Sequence, residues 1–125
     1  MKLRFLGKES TPDDSPTLYA TDQDSYVVQG WIVTDTAILA RHNIPDDEAL
    51  VEVPASLFDH LAKDGVAGAV TNFVPPIVEL TVSGNCIVRG ARLTDAATLA
   101  QMNIPDHETC VQVTKAAVLT LLVGA

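Results

Sequence analysis

The chain has 125 residues, 47% of them hydrophobic, with a mean hydropathy of +0.21. Such a composition can bury a core, which excludes disorder as the global state. Sixteen Asp and Glu against eight Lys and Arg give a net charge of −8, which argues against a nucleic-acid backbone or an anionic membrane as the main partner.

In chain order, Met1–Leu6 reads as a further strand ahead of the main pattern, and residues 10–15 as an acidic loop. Thr17–Thr21 and Tyr26–Val33 are predicted strands joined by Asp22-Gln23-Asp24-Ser25, a cluster of turn formers. Alternation puts Val28, Gly30 and Ile32 on one face and Val27, Gln29 and Trp31 on the other. Thr34-Asp35 opens a helix to about His42, because a short oxygen side chain satisfies a free N–H of the first turn. Asn43 suits a left-handed helix end, and Ile44-Pro45-Asp46 turns the chain. A third strand, Ala49–Val53, and a helix, Ala55–Lys63, follow, the latter with Leu57, Phe58 and Leu61 as its apolar stripe.

The same order then recurs. Tyr26–Leu61 aligns without a gap on Cys86–Leu121, sixty residues on, with 15 of 36 pairs identical, a density that chance does not supply. The strings TDTAILARHNIPDDE and TDAATLAQMNIPDHE are its centre. Ile77–Ser83, Cys86–Leu93, a helix to about Met102 ending at Asn103, Thr109–Val113 and Lys115–Val123 are therefore the second set of elements. The predicted fold is α+β, two tandem β-β-α-β-α repeats packed as a pseudo-symmetric pair: 1–63 an N-terminal arm and first repeat, 64–76 a linker, 77–125 the second repeat.

The repeats differ in character. Residues 1–64 carry a charge of −7 and residues 65–125 only −1. The helix at Lys115–Val123 is apolar almost all round, so it needs cover on more than one side, either between the repeats or at a subunit interface.

Chemistry-bearing patterns are sparse. His42, His60 and His107 align with Met102, Thr120 and Asp47, so no histidine is repeated, and they read as surface residues. No metal-ligand spacing, nucleophile elbow or phosphate loop occurs, and no cofactor or metal is expected. Asp35/Asp95, Asp46/Asp106 and Glu48/Glu108 are repeated carboxylates, read as caps and turn formers in preference to an acid–base or cation site. Gly30 and Gly90 read as places of bulging or close backbone approach. Cys86 and Cys110 read as reduced, buried thiols. No apolar run reaches the ~20 residues of a membrane span, and Arg4 and Lys8 break up any leader-like stretch. A cytoplasmic protein is expected.

Trp31, the sole tryptophan, is either an interface anchor or a core residue against a helix. Gln29 on its face, with the scattered Arg41, Arg89 and Arg92, completes the set of partner-contact candidates. Leu3-Arg4-Phe5-Leu6-Gly7-Lys8, Ser15-Pro16-Thr17-Leu18-Tyr19, Tyr26–Asp35 and Val51-Glu52-Val53-Pro54 together resemble a family of small uncharacterised actinobacterial proteins that match a single copy, over roughly residues 3–61. The resemblance implies a cytoplasmic accessory protein working beside helix-turn-helix regulators, with the second copy a divergent addition. The leading expectation is a non-enzymatic binding or regulatory protein acting through protein contacts or as a homo-oligomer. The alternatives are a small-ligand binder or enzyme with a cleft between the repeats, and a self-assembling structural protein.

Overall fold

The computed structural model describes residues 1–9, 16–66 and 70–122. The acidic loop expected at 10–15 and the last predicted helical residue, Val123, lie outside them. The element order is β1 (Leu3–Lys8), β2 (Thr17–Thr21), β3 (Ser25–Ile32), α1 (Thr36–Arg41), β4 (Glu48–Val53), a 3₁₀ helix (Ala55–Asp64), β5 (Ile77–Leu80), β6 (Cys86–Arg92), α2 (Ala96–Leu99), β7 (Glu108–Thr114) and α3 (Lys115–Leu119). This is a mixed α+β protein: seven antiparallel strands in one sheet, with a few short helices.

Each predicted strand forms, because alternating β-branched residues present one continuous apolar face. Val28, Val51, Val53, Val88, Val111 and Val113 all meet in the main core, joined by Phe58, Leu61 and Val118 from the helices and by Leu121 from the turn after α3. Each such side chain contributes roughly 1.5–3 kcal/mol when fully buried. A second, smaller cluster of Val33, Ile38, Leu50 and Ile87 lies beneath α1. Both clusters draw on residues before and after position 66.

The pairing crosses between the halves. β3 runs beside β7, from Ser25 opposite Thr114 to Trp31 opposite Glu108. β4 runs beside β6, from Val53 opposite Cys86 to Glu48 opposite Ala91. Within each half contact is brief: Trp31 and Ile32 meet Glu52 and Val51, and Ala91 and Arg92 meet Gln112 and Val111. The second set of numbers is the first with sixty added. The pairings β3–β7–β6–β4–β3 close a ring, so these four strands have few free edges. β2 and then β1 extend the sheet from β3, while β5 alone extends it from β6.

The helix starts are as expected: Asp35 and Asp95 cap α1 and α2, accepting hydrogen bonds from the Ala37 and Thr98 amides. The helix ends are not. α1 leaves through His42 in extended conformation, and among the described residues the only non-glycine with positive φ is Asp24, in the β2–β3 turn. Asn43 and Asn103 therefore do not adopt the left-handed conformation expected of them. α2 is also shorter than predicted, because i→i+3 bonds from Gln101 to Thr98 and from Met102 to Leu99 tighten its last turn. The Ala55–Lys63 helix is 3₁₀ in form. Phe58 and Leu61, three residues apart, fall in line on its buried side, and Gly65 ends it with φ 75°.

Close approach accounts for the two repeated strand glycines. A Cβ at Gly30 would lie 2.5 Å from the Glu52 carbonyl oxygen, and one at Gly90 2.7 Å from that of Gln112. The apolar C-terminal helix is covered by the segment that precedes β5: Thr71 and Asn72 donate to the Leu121 carbonyl, and Val70 bridges to Leu122. Leu119 is left outside.

Candidate functional site

The five partner-contact candidates have different placements. Gln29 is wholly enclosed, 0% exposed, and its amide nitrogen donates to the Asn103 carbonyl (3.0 Å) and the Glu108 carboxylate (2.8 Å). A residue so enclosed presents nothing to a partner. Its alternation with Val28 gave the wrong impression because β3 is covered on both faces. Trp31 is half-buried, between Glu52 of β4 and Glu108 of β7. Arg89 donates to Glu48 (Nε to Oε1, 2.6 Å), so Glu48 and Glu108 both serve as cross-strand acceptors. The turns ahead of them are made by the backbone, with the Glu48 and Glu108 amides donating to the Pro45 and Pro105 carbonyls.

Arg41 grips Glu79 with two 2.8 Å bonds, tying α1 to β5, and His42 approaches the same carboxylate at 3.3 Å. The Arg41 bonds hold the Glu79 carboxyl well below the usual range, at about 2. Arg92 donates through Nε to the Asp46 carbonyl and through its amide to that of Asp47. His60 and His107 also sit beside carboxylates, of Glu9 and Glu108. Among the described residues no three His, Cys, Asp or Glu come together as a metal-holding group.

A surface cleft of about 520 Å³ lies where the two halves meet. α1 and the turn after it supply Leu39, Ile44 and Pro45, the end of β3 supplies Ile32, and Arg92 and Thr109 close the far side. Ile32 and Leu39 are each 43% exposed there. Of the five partner-contact candidates only Arg92 lines this cleft, beside Asp46 of the repeated carboxylates. Leu39 is identical to its counterpart Leu99, so the comparison of the repeats does not single it out.

Another acidic site is positioned by Tyr26, whose hydroxyl donates to Asp64 (2.6 Å) while Arg4 and Lys115 also pair with that carboxylate. The Tyr26 hydrogen bond, then Arg4 and Lys115, keep the Asp64 carboxyl below its ordinary range. It fastens β1, β3, the 3₁₀ helix and α3 together. Cys86 and Cys110 are both buried and unbonded, and burial raises both thiols, Cys110 to about 11.

No protein-family model, curated protein or solved structure matches the chain.

Proposed function

We propose that this is a non-catalytic cytoplasmic binding protein that acts through protein–protein contacts. The observation that supports it best is the pair of large apolar side chains, Ile32 and Leu39, left 43% exposed on the rim of one cleft. Among the described residues the one cation lining the cleft is spent on an internal bond, Arg92 donating to the Asp46 carbonyl. Two buried free cysteines suit a reducing compartment, and among the described residues no helix is long and apolar enough to cross a membrane. The resemblance of residues 3–61 to small uncharacterised actinobacterial proteins, which implies an accessory role, points the same way.

The reading includes the architecture. The two sixty-residue copies are packed as a pseudo-symmetric pair, each lending its second and third strands to the other. The equal registers of β3–β7 and β4–β6 support this.

Replacing Ile32 and Leu39 by serine tests the cleft. Immobilised wild-type protein should retain a defined partner from the native host at low salt, and the double variant should lose it. Equal recovery by both proteins would contradict the proposal. A second reading, a small-ligand site, is favoured by the cleft's volume, which lies in the ordinary range of ligand pockets. A large thermal shift with one metabolite, abolished by the same double variant, would support it instead.

A further inference from the structure

We propose that the outer edge of β5 is a docking site for an extended basic segment of a partner polypeptide, added to the sheet as β1 is added on the opposite side. This rests on the protein-binding reading and on the pseudo-symmetric pairing of the copies.

The chain's own N-terminal arm is the template. β1 pairs with β2, placing Leu3 opposite Thr21, Arg4 opposite Ala20 and Phe5 opposite Tyr19. The arm's start is also held from the helix side. Gln101, in the turn just after α2, accepts from the Leu3 amide (2.9 Å) and donates to the Met1 carbonyl (2.7 Å). Thr98 reaches the same carbonyl, Asp95 lies 3.9 Å from the Met1 nitrogen, and Gln112 touches the Met1 sulfur. Asp22 accepts from the Lys2 amide.

Sixty residues away, no strand among the described residues occupies the equivalent surroundings. β5 corresponds to β2, and its last two residues pair with β6 in the matching register: Glu79 and Leu80 face Ile87 and Cys86, as Tyr19 and Ala20 face Val27 and Tyr26, while a bulge before Glu79 sets Ile77 opposite Val88. Among the described residues nothing pairs with its other edge. A depression of about 240 Å³ lies there. On the helix side its walls are Asp35, Ile38, Arg41 and Glu52, the counterparts of Asp95, Thr98, Gln101 and Gln112. On the strand side they are Glu79 to Val82, the counterparts of Tyr19 to Asp22. Every wall residue thus answers to one that touches Met1–Phe5 in the filled site. Leu80 and Val82 are left exposed, as an unfilled edge requires.

The differences between the two sites select the occupant. Three carboxylates, of Asp35, Glu52 and Glu79, stand against one guanidinium, of Arg41. In the filled site Phe5 packs edge-on against Tyr19, with ring centroids 6.2 Å apart. In the open one the corresponding residue meets Glu79, which Arg41 already holds, so no ring partner is offered there and the remaining carboxylates, of Asp35 and Glu52, favour a cation. Main-chain bonds would supply affinity and these carboxylates the preference for charge, as in strand addition generally.

The test uses the full chain and a labelled peptide of the Met1–Lys8 sequence carrying Phe5→Arg. Saturable binding is expected, together with new amide-exchange protection along β5. Val82→Arg, a change at a fully exposed position, should weaken binding roughly two- to fivefold, while the Ile32→Ser, Leu39→Ser protein binds as the wild type does. The cleft and the edge can then fail separately. No saturation by about 1 mM peptide, or protection confined to β2, which would mean displacement of the chain's own arm, would overturn the proposal.

Discussion

Gln29 and Glu108 meet across β3 and β7 with the amide nitrogen 2.8 Å from the carboxylate, both side chains removed from solvent. Sixty positions along, Arg89 and Glu48 make the corresponding contact across β6 and β4 at 2.6 Å, but in partial contact with water. The two bonds stand at equivalent places and differ in burial, so they should differ in weight. Glu108→Ala strips a hydrogen-bond partner from an amide with no access to water and is expected to cost about 1–3 kcal/mol. Glu48→Ala should cost distinctly less, because water replaces the lost partner of Arg89. Urea unfolding of the two variants checks the order. Equal losses would contradict it.

A strand glycine and a helix-ending one give a second contrast. In Gly30→Ala the new methyl lies against the Glu52 backbone and Val53, neither of which can swing aside like a long side chain. Overpacking of this kind costs about 1–3 kcal/mol. Gly65→Ala has open space around its Cβ but a φ of 75°, so it should lose about 1–2 kcal/mol through backbone strain alone. Calorimetry of both proteins, with β-sheet content followed by circular dichroism, separates the two causes. Loosened strand signals are expected only for Gly30→Ala.

Acid should release α1 from β5. The Glu79 carboxyl is held at about 2 against an ordinary value of 4.5. Its contribution is therefore complete above about pH 4.5 and lost as pH falls towards 2. Because Arg41 is more than half exposed, the effect is moderate and weakened by salt. The drop in Tm between neutral pH and about pH 3 should be smaller for Glu79→Gln than for the wild type. Asp64, Asp95 and Glu48, also lowered by their partners, lose stability in the same direction and leave a residual drop in both proteins.

The cysteines should be silent in the folded protein. Cys110 is held at about 11 and Cys86 is raised by the same burial, so little thiolate forms near neutral pH. Ellman's reagent should react with both thiols only after denaturant is added. Rapid labelling of either one in buffer would show that β6 or β7 opens locally.

Much of this architecture is legible in residue order, because local signals act on local structure. Alternating valines at 51, 53, 111 and 113 mark strands, and Asp35 and Asp95 mark helix starts. Partner choice is not local. Nothing in the alternation along β3 tells whether it pairs with β4 or β7, since both carry the same Val-x-Val pattern sixty residues apart. For that reason Gln29, on the strand face of Trp31, stands among the partner-contact candidates, although β7 and the Asn103 loop enclose it. The cleft escaped for a related cause: Ile32 and Arg92 share one repeat position, but one is apolar and the other bonds the turn at Asp46. The β5 edge could be found only after the pairings showed which strand β1 covers.

Amide hydrogen exchange on the unliganded protein tests the filled and open edges most directly. Amides of β2, paired on both sides, should exchange slowly. Those of β5, which among the described residues pairs only with β6, should include a fast-exchanging set along the outer edge. Uniform protection of β5, equal to that of β2, would contradict the claim that one of two equivalent edges stands open.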